Sequence, residues 1–387
     1  MQQTLFDIYL SGAVGLTIIY AVLILTYRKG WRLLPEFLPP SGYRVSTKIT
    51  VIIPARNEEE NILACLRSVS EQKRINPALY EVIVIDDYSA DRTAELVQSL
   101  NSPQIRLLPL QDYVASDETQ SFKKKAVEIA VAQATGDLIV CTDADCIVPP
   151  DWLYLLAAYY ELGKVEFIAA PVMFHRENNA LQRFQTLDFL GMMCVTGAGI
   201  HTGLMHMCNG ANLAYSKRAF EQVGGFAGID HLASGDDMLL LHKIVQRYPK
   251  KIGFLKNQAA VVHTEAKATY NEFYAQRLRW ATKSAGYRET QVTLILAAVF
   301  FHCCSIVFGF LLIPFFGKVA LYLFLFQLFT KSFVDFIYLR MMSQWFDKQP
   351  IMRFFPLGEL MHILYIVIIG MAGNFIKKYE WKGRKVR

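Results

Sequence analysis

Between Asp7 and Arg28 the chain runs for 20 residues, Ile8 to Tyr27, without a charged side chain. At about 1.5 Å of rise per helical residue, that length crosses a hydrocarbon layer of about 30 Å. The residues before it carry Asp7 and no Lys or Arg, and no A-x-A-like site follows, so a retained signal anchor is expected rather than a cleaved signal. Arg28, Lys29 and Arg32 come next and, by the positive-inside bias, place the following region on the cytoplasmic side. Near the other end, Thr290 to Gly317 is uncharged over 28 residues and Leu360 to Ile376 over 17. Between them Val319 to Leu339 is a weaker candidate, interrupted by Lys331 and Asp335. Charges at mid-span cost roughly 2.5 to 3.5 kcal/mol each, but an i,i+4 spacing lets these two pair on one helix face. The basic tail from Lys377 to Arg387 asks to be on the side of the central region. An even number of crossings is therefore expected after that region, with one of the three candidates interfacial or re-entrant.

Charge and composition agree with this division. Of the net +6, Arg28, Lys29 and Arg32 supply +3 and the last eleven residues +5, so the rest of the chain carries −2. A body of that balance is not a basic nucleic-acid-binding surface, and no nucleic-acid partner is expected. The 53% hydrophobic share is high for an entirely soluble chain. Seven cysteines, Cys65, Cys141, Cys146, Cys194, Cys208, Cys303 and Cys304, show neither a C-x-x-C pair nor metal-ligand spacing and read as reduced thiols.

The middle alternates short β-branched runs with helical periodicity. Lys48 to Ile53 (KITVII) ends at Pro54, and Asn57 with Glu58, Glu59 and Glu60 reads as a helix start. Val82 to Ile85 stops at Asp86-Asp87; a helix follows from about Thr93 to Leu100; Ile105 to Leu108 is a third strand. Phe122 to Ala134 is helical with Gly136 as a stop, and Leu138 to Cys141 leads into Thr142-Asp143-Ala144-Asp145. Apolar strands alternating with helices predict an α/β fold around a parallel sheet covered on both faces. Ligands bind such sheets at the carboxyl ends of the strands, and here those ends carry acids. Crowded carboxylates with no basic neighbour in sequence call for a cation; hard oxygens suit Mg2+ or Mn2+, whose shell is often completed by a substrate's phosphates. There is neither a G-x-x-x-x-G-K-[ST] loop nor a G-x-G-x-x-G after a strand, which argues against a P-loop ATPase and a dinucleotide dehydrogenase. Asp91, by contrast, reads as a turn or cap residue.

Several stretches together resemble the family 2 glycosyltransferases of GT-A fold (Rossmann-like nucleotide-diphospho-sugar transferases), especially the membrane-integrated branch with cellulose, chitin and hyaluronan synthases. They are VIIPARNEEENILACLRSV (51–69), VIVIDDYSADRT (82–93), Lys123 and Ala126 before ATGD (134–137), TDADC (142–146), NGANLAYSKRAFEQVGGF (209–226), SGDDMLL (234–240) and QRLRW (276–280). A D-x-D alone is common; this series in the family's order, ending in Q-x-x-R-W, is specific. The resemblance implies that Asp87 contacts the nucleobase with Arg56 and Glu58 lining the nucleoside pocket, that Asp143 lies by the ribose and diphosphate, and that Asp145 ligates the metal. It implies Asp237 as general base, with Asp236 a competitor because the motif is Gly-Asp-Asp rather than Thr-Glu-Asp. Lys123 becomes a phosphate contact or a solvated charge. Gln276 and Arg279 would approach the diphosphate, and Trp280 would stack against the acceptor. Cys146 stands where some synthases place a His, which removes an expected metal contact.

The chain is thus expected to comprise an N-terminal anchor (1–30), a GT-A domain facing the cytoplasm (31–288), and C-terminal transmembrane or interfacial helices with a basic tail (289–387). Its expected place is a cell's inner membrane. The expected activity is inverting transfer of a sugar from a nucleoside diphosphate donor to a membrane lipid, with a growing polysaccharide as the alternative acceptor. A metal-dependent nucleotidyltransferase and a non-catalytic membrane-tethered binding protein are more remote readings. Leu181 to Cys208, rich in Leu, Met and Phe, reads as a helix near the membrane framing an acceptor entrance, or else as buried core. Asp237 should open a helix over Met238 to Val245, and His201, His206 and His263 read as structural.

Overall fold

The computed structural model describes residues 2–115, 121–232, 235–282, 290–375, 379–381 and 384–386. In chain order the elements are α1 (Gln2–Leu33), β1 (Ile49–Ala55), α2 (Ile62–Ser70), β2 (Tyr80–Asp86), α3 (Thr93–Ser99), β3 (Ile105–Pro109), α4 (Phe122–Gln133) and β4 (Leu138–Cys141). There follow α5 (Trp152–Gly163), β5 (Phe167–Ala169), β6 (Val172–Phe174), α6 (Ala180–Thr202), β7 (Leu213–Ser216), α7 (Lys217–Gln222), α8 (Met238–Arg247), β8 (Ile252–Phe254) and β9 (Val262–Thr264). The remainder is α9 (Tyr270–Thr282), α10 (Thr290–Leu311), α11 (Ile313–Trp345), α12 (Phe355–Phe375), β10 (Tyr379–Trp381) and β11 (Arg384–Val386). These group into two compact units, one of Met1–Leu33, Arg176–Met205 and Ala266–Lys377, the other of Leu34–His175, His206–Glu265 and Lys378–Arg387.

The second unit is built on a seven-stranded sheet in the order β3-β2-β1-β4-β7-β5-β8. Strands β1 to β4 are parallel, with Ala55 opposite Asp86 and Ile52 opposite Cys141, so the acids after β2 and β4 emerge at one edge, as their positions in sequence predict. The sheet is mixed rather than all-parallel: β7 runs antiparallel to both β4 and β5. That reversal places the residues before Leu213 beside the end of β4, because Leu213 pairs with Cys141. The strand cores are apolar and sealed, with Val51, Ile52, Ile53, Ile83, Val84, Ile139 and Val140 wholly buried. The predicted Asn57 cap is corrected. Asn57 sits in the left-handed region at φ 50°, α2 begins only at Ile62, and Glu58, Glu59 and Glu60 lie in the loop before it. Asp91 is a turn residue as expected, its Oδ1 accepting from the Thr93 amide and hydroxyl.

The first unit is an apolar helical bundle. Among the described residues, four helices are long and apolar enough to cross a membrane: Thr4–Leu33, Thr290–Leu311, Ile313–Trp345 and Gln349–Gly373. All three C-terminal candidates reach that length, so none is set apart by being short. The uncharged stretch from Thr290 does not run on as one helix; it turns at Leu312, and Gly317 (φ 57°, ψ −132°) interrupts the start of α11. Lys331 and Asp335 pair along α11 at 2.7 Å, as their spacing predicts. Two stretches within 31–288, α6 and α9, group with this bundle. Leu181 to Cys208 resolves accordingly: α6 is buried along most of its length, with Tyr338 bonded to the Gly191 carbonyl at 2.6 Å and Gly30 of α1 close to Ala198. The segment is core. All seven cysteines are thiols outside any disulfide, six of them buried. The motif's Ser234 and, in the basic tail, Lys377, Lys378, Lys382 and Arg387 lie outside the described residues.

Gly136 does more than stop α4. A Cβ there would come within 2.5 Å of the Ile49 carbonyl carbon and the Thr50 nitrogen, backbone atoms at the start of β1. Gly136→Ala is expected to destabilise the full chain by about 1 to 3 kcal/mol through overpacking, read as a lowered thermal unfolding midpoint in detergent.

Candidate active site

Topology explains how distant residues meet. The chain leaves β3 at the carboxyl edge of the parallel strands and α4 leads back to the start of β4, so its first turn, including Lys123, stands at that edge. Gly235, at φ 84°, makes the turn into α8, and Asp236 and Asp237 occupy the entry. The wall of the cleft between them includes Lys123, Thr142, Asp143, Gly210, Asp236 and Asp237.

The Lys123 ammonium lies 2.8 Å from Asp143 Oδ1 and 3.3 Å from Asp236 Oδ2. Burial works against its charge, but Asp143, then Asp236 and Asp237, outweigh this and hold the ammonium well above the usual lysine range. The carboxylates are therefore not without a basic partner, as their neighbours in sequence suggested; the fold brings one from α4. The three consecutive lysines have three fates. Lys124 is buried and ties down the carbonyls of Ile229 and Leu232, while Lys125 pairs at the surface with Glu128. Asp237 caps α8, accepting from the Met238 amide at 2.8 Å, and its other oxygen accepts from the Gly210 amide at 3.2 Å. Both donors are backbone groups, which fix the carboxylate in the same cleft wall as the Lys123 ammonium. Gly210 was not singled out from sequence; it lies three residues before Leu213, the start of the antiparallel β7, and only the mixed topology locates it.

The other residues expected on the donor side lie in the loops after β1 and β2. Arg56 Nη1 donates to the carbonyls of Asp87 (2.7 Å) and Tyr88 (3.0 Å), and the Asp87 amide donates to Ala55 O. Glu58 carries a backbone bond to the Thr93 hydroxyl and accepts from the Asn61 side chain. These contacts join the two loops, and Asp87 is nearly buried between them.

Asp143 and Asp145 are half-buried at the end of β4, with the turn closed by the Cys146 amide on the Asp143 carbonyl. Burial, then the charges of Asp145 and Asp143, push the Cys146 thiol well up, so this sulfur stays protonated and is a poor ligand. Among the described residues no group of three His, Cys, Asp or Glu side chains is arranged to hold a metal. The donor set therefore fits an ion held by one or two hard carboxylates and completed by a ligand's own oxygens, not a protein-enclosed site.

Gln276, Arg279 and Trp280 are on α9 in the other unit, partly buried. Gln276 Oε1 has no hydrogen-bond partner among the described residues. The residue that sequence reasoning passed over is Arg277, between them. It is 1% exposed, lies 2.9 Å from Asp188 of α6 without good hydrogen-bond alignment, and stacks over Trp280 at 4.3 Å and Phe273 at 5.1 Å. The i,i+3 and i−4 spacing to those rings was the available signal.

The sequence matches Glycosyl transferase family group 2 over residues 138–375 and Glycosyl transferase family 2 over residues 50–224. The former spans more than half of the chain. The protein belongs to the family 2 glycosyltransferases. This glycosyltransferase is 27% identical over 190 residues to glycosyltransferase AglE of Haloferax volcanii, covering 49% of the chain and 59% of AglE. It is 25% identical over 179 residues to the poly-beta-1,6-N-acetyl-D-glucosamine synthase of Staphylococcus aureus, covering 46% of the chain and 41% of that enzyme. The chain thus spans about half the length of these curated relatives. Its fold is similar to that of the mannosyltransferase PcManGT from Pyrobaculum calidifontis, solved with GDP-Man and Mn2+. The TM-score is 0.60 at 18% identity, over 91% of this chain and 99% of that one.

Arg277→Met should leave Asp188 charged and unpaired in the core of the helical unit, costing about 3 to 5 kcal/mol. The double variant Arg277→Met/Asp188→Leu should recover most of that loss in thermal unfolding; no recovery would mean that the pair is not the cause.

Proposed function

We propose that this glycosyltransferase moves a sugar from a nucleoside diphosphate donor to a membrane lipid, with inversion at the anomeric carbon, at the cytoplasmic face of a cell's inner membrane. The observation that carries the chemistry is Asp237. Its carboxylate is fixed by two backbone amides in the wall of the cleft that also holds Lys123, Asp143 and Asp236. Asp237 takes the proton of the acceptor hydroxyl as that oxygen bonds to the anomeric carbon, and the bond to the diphosphate oxygen breaks on the opposite face. One base and no enzymic nucleophile give inversion. Lys123 balances the carboxylates around the diphosphate, where a positive group stabilises the charge that develops on the leaving oxygen. Asp145, with Asp143, would hold Mg2+ or Mn2+ there, supplying further charge to that oxygen. Arg56, Glu58 and Asp87 would form the nucleoside pocket, with Asp236 setting the position of Lys123. Gln276 and Arg279 would meet the diphosphate and Trp280 the acceptor.

The lipid is preferred to a polysaccharide because the helical unit is filled. Its centre holds wholly buried His302, Cys303, Gln327 and Lys331, a packed interior that favours an acceptor reached from the lipid phase over a sugar channel through the bundle. The test is incubation of the protein in lipid with a panel of labelled nucleotide sugars and Mg2+ or Mn2+, followed by organic extraction. Label in the lipid fraction is expected; label in an insoluble polymer would support the synthase alternative. Asn remains a good helix cap, so Asp237→Asn should fold normally, keep nucleotide binding, and lose about 10²- to 10⁴-fold in kcat. Undiminished turnover in that variant would remove Asp237 from the base role.

A further inference from the structure

The helical unit buries an odd number of charges. Lys331, 0% exposed, donates to Asp335 Oδ2 at 2.7 Å and to Glu359 Oε1 of α12 at 2.6 Å, and its Nζ lies 3.3 Å from His362 Nδ1. Asp335 is held further by the Tyr20 hydroxyl of α1, 2.8 Å from each carboxylate oxygen. Asp335 thus accepts from Lys331 and Tyr20, while Glu359 accepts from Lys331 and lies within hydrogen-bonding reach of Asp335. Two carboxylates and one ammonium leave one negative charge without a counterpart. In a span-length helix surrounded by apolar side chains, an uncompensated ionised group is strongly disfavoured, and a titratable group takes up a proton instead.

A second observation points the same way. His302 of α10 is fully buried and stacks on the Tyr20 ring at 4.7 Å, yet neither of its ring nitrogens has a hydrogen-bond partner among the described residues. One turn before Lys331, buried Gln327 donates to the Ser305 hydroxyl while its Oε1 is unpartnered. These open positions lie along the seam between α1, α10 and α11 and give an exchangeable hydrogen somewhere to go. A metal ion is a poorer occupant, because the Lys331 ammonium already lies between the carboxylates and no three ligand side chains converge among the described residues. Other titratable groups facing the cluster are Cys303 of α10, Tyr338 of α11 and His362 of α12, with Arg277 of α9 reaching Tyr365 one turn further on.

We propose that this cluster is a proton-binding site, in which Glu359 holds one proton at neutral pH beside the Lys331–Asp335 ion pair. The inference rests on the reading that these helices lie in a membrane, but not on any assignment of donor, acceptor or base. Infrared spectra of the full chain in lipid nanodiscs at pH 7 test it without an activity assay. The difference between wild type and Glu359→Gln should contain the C=O stretch of one protonated carboxyl. Glu359→Gln, which resembles the protonated acid in shape and charge, should melt close to the wild-type midpoint, whereas Asp335→Asn should melt clearly lower. Absence of the band, as expected if His302 carries the proton or both acids are ionised, would overturn the assignment. A Glu359→Gln protein that fails to fold, or is as unstable as Asp335→Asn, would overturn it equally.

Discussion

The electrostatic balance at the carboxyl edge of the parallel strands governs the organisation of the sheet unit. Asp143, Asp236 and Asp237 come from two loops separated by about ninety residues, and repulsion would hold them apart but for Lys123. The lysine can reach them because α4 returns from the same edge, and Asp236 and Asp237 can because Gly235 turns the chain into α8. Removing the ammonium would leave partly buried carboxylates with unfavourable like-charge neighbours, so the site's geometry and its charge are one constraint. The same balance suits the donor proposed above, which would add the two phosphates of a leaving group to an already acidic cleft.

The first four strands and the helices between them were legible in sequence because each is a short apolar run bounded by Pro, Gly or acids. Their acids could be placed at one edge from the parallel pattern alone. What was not legible came from residues far apart in the chain. Lys123 sat in a run of three lysines that looks uniform, and only packing separates a cleft lysine from one tied to carbonyls and one at the surface. Strands β5 to β9 are three or four residues long, too short to give a period, so the antiparallel β7 and the position of Gly210 escaped notice. Asn57 looked like a cap because it precedes three glutamates, but its Oδ1 accepts from the Ala90 amide in the neighbouring loop, and the helix starts later.

The Q-x-x-R-W segment shows how a motif can be read incompletely. Its named members are partly exposed, while the unnamed Arg277 is the buried one and lies beneath the Trp280 ring. A guanidinium at 4.3 Å is attracted to the indole face, and its pairing with Asp188 anchors that stack to α6. The orientation of Trp280 thus depends on an ion pair whose acid lies nearly ninety residues earlier. Burial raises the Asp188 carboxyl above its usual range, with the charge of Arg277 opposing the rise, so the pair depends on close packing as much as on Coulomb attraction.

Two clusters in this chain combine acids with a lysine, and their surroundings give them different chemistry. At the sheet edge the acids border an open cleft, where solvent, an incoming diphosphate and a divalent ion can all enter the balance; a net negative site there is one that recruits. In the helical bundle Lys331, Asp335 and Glu359 are closed off by α1, α10 and α12, where no mobile counter-ion is at hand. The i,i+4 spacing of Lys331 and Asp335 made half of that arrangement readable, since it offered a neutral pair. Glu359, at the start of an uncharged span, then restores a negative charge that a closed site must neutralise with the smallest cation available. The same two residue types therefore favour ligand exchange in one unit and proton retention in the other, and the deciding variable is access to water.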